Sequence, residues 1–123
     1  MKISGSDVNI AFFVSAHGFG HAARAAAVMS AIRHKMPDVG FEVFTRVPEW
    51  FFSEALSPPV RYHAVTTDVG MVQKDPFAVD IPATLSRLGD FLPFSEPMVQ
   101  EIADGLTARR CRAVVCDISP LGI

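Results

Sequence analysis

Residues 8–32 read VNIAFFVSAHGFGHAARAAAVMSAI, and this stretch decides the fold. Val8 to Val14 is an apolar run in which Ile10, Phe12, Phe13 and Val14 suit a buried strand. The chain then turns through Ser15, Ala16, His17 and the glycines Gly18 and Gly20. From His21 it becomes rich in alanine, with good helix propensity and no breaker before Pro37. A strand, a short glycine loop and a helix opening on that loop make the first half of a βαβ unit. Such a unit aims the first N–H groups of the helix, and its positive dipole end, at whatever lies above the strand's carboxyl edge. A binding site is expected there.

Composition limits the classes. The 123 residues fit one domain, half of them hydrophobic and a fifth charged, which is a folded profile. A net charge of −2 offers no basic footprint for nucleic acid. No apolar run approaches the length of a membrane span. Lys2 followed by an apolar segment imitates a secretory leader, but Asp7 and Asn9 sit where its apolar region should begin. Cys111 and Cys116 are too few for a disulfide framework, which fits a cytoplasmic chain. Cys116 falls in a predicted strand and reads as a buried, inert thiol, and neither cysteine has the company a zinc site requires, so no metal is expected.

Outward from the first unit the pattern alternates. The first helix runs roughly from Gly20 to Met36, and Pro37 to Gly40 signal a turn. Phe41 to Thr45 reads as the second strand, Pro48 to Leu56 as a short helix with proline in its first turn, and Val60 to Val65 as the third strand. Thr66 to Asp80 has no clear period and reads as a long loop of the kind that carries function. Ile81 to Arg110 is helical, broken near Leu92-Pro93 and restarted by Ser95-Glu96-Pro97. Ala113 to Cys116 is the fourth strand, short and fully apolar as for the middle of a parallel sheet, with Asp117 at its carboxyl end. The expectation is an α/β, Rossmann-like parallel sheet, βαβαβαβ, in strand order 3-2-1-4. A last strand followed by a few residues of connection further suggests the front portion of something longer.

Gly18-Phe19-Gly20-His21-Ala22-Ala23 satisfies G-x-G-x-x-G/A in strand-to-helix context. The second strand ends in Thr45-Arg46 and not in an acidic residue, which suits a 2′-phosphate more than a ribose hydroxyl; an NADP-binding oxidoreductase domain is therefore one alternative. His17 and His21 are not required by a dinucleotide fold. Their spacing resembles H-E-x-x-H, but Gly18 stands in place of the glutamate. The plain role for His17 is an N-cap or turn residue, and for His21 a solvent-facing polar residue. Position favours more for His21: an imidazole on the rim of a glycine-lined site is suited to general base catalysis. Asp117 would then orient it if the fourth strand lies beside the first, or else cap the next helix. Arg24, one turn along, would neutralise an anionic group or be an ordinary surface arginine. Asp68, Asp75 and Asp80 read as solvated loop carboxylates.

SAHGFGHAAR after the first strand resembles the amino-terminal domain of GT-B fold glycosyltransferases, and in particular the glycosyltransferase-like amino-terminal region of plant L-arabinokinase-type proteins. The shared features are the HGFGH-x-x-R string, a later stretch like Asp68-Val69-Gly70 with Val72-Gln73 and Val79-Asp80, and a strand ending like Val114-Val115-Cys116-Asp117. The resemblance spans nearly all 123 residues.

It implies an inverting, metal-independent transferase with two Rossmann-like domains. The first, residues 1–123 here and incomplete, would bind a small-molecule, glycan or lipid acceptor through its hydroxyl. A second domain, absent from this chain, would bind the nucleotide sugar, uridine-diphosphate-linked, as donor, with no other cofactor. His21 matches the histidine that deprotonates the acceptor, and Asp117 the aspartate that supports it. His17, Gly18, Phe19, Gly20, Arg24, Asp68, Gly70 and Gln73 would line the substrate or phosphate site; in the related peptidoglycan N-acetylglucosaminyltransferase the matching loop faces a diphosphate. In the arabinokinase-type proteins the region is attached to a kinase, and this chain carries no G-x-x-x-x-G-K-S/T loop. The chain alone is expected to be inactive. The remaining alternative is a non-catalytic module that binds a sugar or nucleotide.

Overall fold

In the computed structural model, which describes residues 8–123, the opening apolar run forms a strand whose last four residues are sealed from solvent. Lys2 and Asp7, weighed above against a leader, lie outside the described residues. The chain runs β1 (Asn9–Val14), α1 (Gly20–Lys35), β2 (Gly40–Thr45), α2 (Glu49–Ala55), β3 (Arg61–Ala64), β4 (Gln73–Asp75), β5 (Ala78–Val79), α3 (Ile81–Phe91), α4 (Glu96–Ala108) and β6 (Cys111–Asp117), then a 3-10 turn at Pro120–Gly122.

β1 pairs in parallel with β2 on one side and β6 on the other, and β3 extends the β2 side. The order β3-β2-β1-β6 is the expected 3-2-1-4, because the predicted fourth strand is β6. Side chains alternate across this sheet. Phe12 and Val14 join Val43, Phe52 and Leu56 under α1 and α2, whereas Ala11, Phe13 and Phe44 face Ile102 and Leu106 of α4. α1 contributes Ala22, Ala25, Ala26 and Met29, one helical stripe whose three alanines let the helix lie close on the sheet. Each buried phenylalanine contributes about 1.5–3 kcal/mol, so a one-residue slip of β1 would be strongly disfavoured.

Four expectations need correction. The 66–80 loop holds a small antiparallel ribbon, β4 with β5, closed by Asp75 Oδ1 accepting from Phe77 N at 2.8 Å. Strands of three and two residues are too short to show a period. Pro48 is the N-cap of α2, with φ −56° and ψ 140°, and lies just before its first turn. β6 is longer than predicted and stands at the sheet edge among the described residues, with Val114 43% and Val115 39% exposed. Cys116 is half-buried, as is Cys111, and both thiols are free.

The long helical segment breaks as expected. Leu92, extended at φ −117° and ψ 147°, precedes Pro93, whose ring disfavours helical geometry in the residue before it. Ser95 Oγ then accepts from Met98 N at the start of α4. No helix among the described residues is long and apolar enough to cross a membrane.

Candidate functional site

The glycine loop leaves β1 at its carboxyl end. Gly18 has φ +74°, a left-handed conformation that a side chain would strain. Gly20 opens α1, and a Cβ there would meet nothing within 4 Å, so this glycine faces open space and is not demanded by packing within the domain. Phe19, with helical φ and ψ, is the N-cap, and no side chain caps the helix. The first-turn N–H groups therefore point outward without a side-chain acceptor, and no acidic residue occupies that turn. This is the arrangement in which a helix start receives a polar or anionic group.

His21, in that first turn, reaches across to the end of β6. Its Nδ1 lies 2.8 Å from Asp117 Oδ2, with the two side chains 23% and 25% exposed. Arg24, one turn on, brings Nη2 to 3.4 Å from the same oxygen and 3.1 Å from His21 Nδ1. These contacts cannot all be hydrogen bonds. A carboxylate only accepts and a guanidinium only donates, so Nδ1–H and Arg24 both donate to Asp117 while Arg24 merely lies beside the ring. That assignment leaves Nε2 as the imidazole's lone-pair nitrogen. β6 pairs with β1 up to Val14 opposite Asp117, which is how the sheet brings residues 96 positions apart together. Immediately afterwards Ile118 takes φ +50°, turning the chain sharply off the strand.

On the other side of β1, His17 Nε2 sits 3.4 Å from Asp68 Oδ2. His17 is thus neither the N-cap of α1 nor paired with the carboxylate that holds His21. Gly70 packs on its ring: a Cβ at Gly70 would come within 2.6 Å of His17 Nδ1. Thr67, missed by sequence reasoning, is buried between the two halves of the site. Its hydroxyl donates to the Val14 carbonyl at 3.0 Å, and its carbonyl accepts from Ser119 Oγ at 2.8 Å. Lone threonines and serines in loops carry no period or motif, so no local signal marks them.

The loop carboxylates are not simply solvated, contrary to expectation. The Asp68 side chain is only 9% exposed. Asp80 caps α3 by accepting from Ala83 N at 3.0 Å, and Asp75 closes the ribbon turn. Gln73 lies exposed on β4, and no hydrogen bond or ion pair joins it to the glycine loop. Phe19 stacks on Phe51 at 5.3 Å and tilts against Trp50 at 5.9 Å, so an aromatic cluster from α2 braces the loop. Among the described residues no group of three or more histidine, cysteine or acidic residues could hold a metal ion.

Comparison with known proteins finds L-arabinokinase of Arabidopsis thaliana, 32% identical over 127 aligned residues. The match covers 98% of this chain but 12% of that protein, so the chain spans about an eighth of its relative's length. No family model matches the chain. No solved structure matches it either.

Proposed function

We propose that the carboxyl edge of this sheet binds the acceptor of an inverting, metal-independent glycosyltransferase, with His21 as general base and Asp117 as its positioning residue. The observation that carries this is the 2.8 Å contact between His21 Nδ1 and Asp117 Oδ2. With Nδ1–H held by the carboxylate, Nε2 is free to take the proton of an acceptor hydroxyl as the oxygen attacks the anomeric carbon of a nucleotide sugar. The nucleoside diphosphate leaves with the bonding electrons, and the imidazolium formed is stabilised by Asp117. Gly18, Phe19 and Gly20, with the uncapped start of α1, would form the wall against which the acceptor or a phosphate lies. Arg24 would hold Asp117 in place and add positive charge there.

The donor would be bound by a second domain outside these residues. The relative's name couples that protein to a sugar, which supports sugar chemistry as the class; phosphoryl transfer is not proposed for a stretch lacking a phosphate loop. Two free thiols fit a reducing compartment, and the cytoplasm is the proposed location.

In the complete protein, His21→Ala should lower transfer from nucleotide sugars by roughly 10²–10⁴-fold. Turnover within a factor of two of the parent would remove His21 from the chemistry. Asp117→Asn should lower kcat more than it raises the acceptor's KM, since orientation of the base matters chiefly in the transition state. A change in KM alone would make Asp117 an acceptor contact instead.

A further inference from the structure

A second feature lies at the same carboxyl edge, on the side of β1 away from Asp117. A cavity of about 230 Å³ is lined by His17, Arg46, Thr66, Asp68, Gly70 and Arg87, among others. Its volume is below the range of pockets that enclose a whole drug-sized ligand, so it suits one functional group and its immediate attachment. Two guanidinium groups border it. Arg46 follows β2 and donates its Nε to Thr66 Oγ1 at 3.0 Å, leaving both terminal nitrogens without a partner among the described residues. Arg87, on α3, makes no hydrogen bond or ion pair among the described residues.

The local charge is unbalanced. Asp68 is the only carboxylate in the lining, and it is already engaged by His17. Asp90, one turn after Arg87, borders a neighbouring cavity with Arg46 but forms an ion pair with neither. Two guanidinium groups against one carboxylate leave the cavity wall with an excess of positive charge, which favours an incoming anion. Both arginines also stand on fixed ground. The bend after β2 is held by Val47 N donating to Thr45 Oγ1 at 3.1 Å and by Tyr62 Oη donating to the Val47 carbonyl at 2.7 Å. The start of α3 is held by Asp80.

We infer that this cavity is an oxyanion subsite, in which Arg46 and Arg87 bind a phosphate or carboxylate carried by the acceptor. The inference rests on the carboxyl edge being the acceptor's side. It makes the acceptor an anionic molecule, a sugar phosphate or a sugar acid, whose charged group is held beside His17 while its hydroxyl lies toward His21.

The test is a titration of the chain with inorganic phosphate and, separately, with glucuronate, followed by amide chemical shifts at constant ionic strength. Saturable shifts at Thr66 and Gly70 are expected, with affinity falling about tenfold in Arg46→Gln and in Arg87→Gln. Arg112→Gln, an exposed arginine on β6, is the control of equal charge and should bind like the parent. Both variants lie on the surface, and unchanged far-UV circular dichroism shows that they fold. Tighter binding of phosphate points to a phosphorylated acceptor, and tighter binding of glucuronate to a sugar acid. No saturable shift with either anion, or an equal loss in Arg112→Gln, overturns the inference. If anion binding fails while His21→Ala still abolishes transfer, the subsite falls and the transferase proposal stands. If anion binding holds without His21-dependent transfer, the subsite stands and the transferase proposal falls.

Discussion

Gly18 and Gly20 are two residues apart, alike in sequence and opposite in physics. Gly18→Ala should destabilise the fold by about 1–2 kcal/mol, because φ +74° is strained for any side chain. Gly20→Ala should be neutral or stabilising by up to about 1 kcal/mol, since its Cβ meets open space and alanine favours the helix. Urea denaturation of both variants checks the pair, and equal losses would show that the loop geometry is wrong. The cysteines give a prediction in pH. Burial pushes both thiols up, and Glu42 adds to the rise at Cys111. A raised pKa means less thiolate at a given pH, so labelling by Ellman's reagent at pH 8 should be slower than for free cysteine and should accelerate only at higher pH. Faster labelling than free cysteine would contradict the burial of both groups.

Among the elements, α3 depends on one side chain at its start. Asp80 accepts from Ala83 N, and its carbonyl accepts from Thr84 N and from Thr84 Oγ1 at 2.6 Å. Thr84 Oγ1 in turn accepts from Val72 N at 2.9 Å, so ribbon and helix share one junction. Asp80→Ala should cost about 1 kcal/mol, read from the urea midpoint. Because α3 also carries Arg87, the same variant should weaken phosphate binding. α1 needs no such device. Its apolar stripe is buried under the sheet, and Arg33, His34 and Lys35 in its last turn complement the helix dipole. The helices and the four main strands were legible in the sequence because apolar runs, the alternation in β2, helix propensity and the proline and glycine breaks mark them over several residues. The β4–β5 ribbon was not, since five residues cannot establish a period.

Across the whole molecule, the sheet face under α4 carries a buried charge. Glu42, 2% exposed in the middle of β2, meets Arg109 at 3.2 Å, His63 at 3.1 Å and Arg61 at 3.5 Å. Arg109 follows α4, and its carbonyl also accepts from the Asn9 side chain of β1, so the cluster joins that helix to three strands, β1, β2 and β3. Arg109→Met should therefore cost about 1–3 kcal/mol, despite a side chain one-third exposed, because it leaves a buried carboxylate short of a donor. Thermal unfolding of that variant would show no shift if Glu42 were in fact adequately solvated.

The chain's sequence determined by itself the βα unit at its start, the alternation after it, the strand order and the pairing of His21 with Asp117. The hydrophobic period is local, and parallel strands on either side of β1 leave few ways for their carboxyl ends to meet. Tertiary structure alone decided that His17 takes Asp68, how Thr67 and Ser119 tie the loops across β1, and that Arg46 and Arg87 share a cavity. Those partners come from different loops and from a helix, at separations for which no spacing rule exists. Only the packed sheet and helices set them side by side.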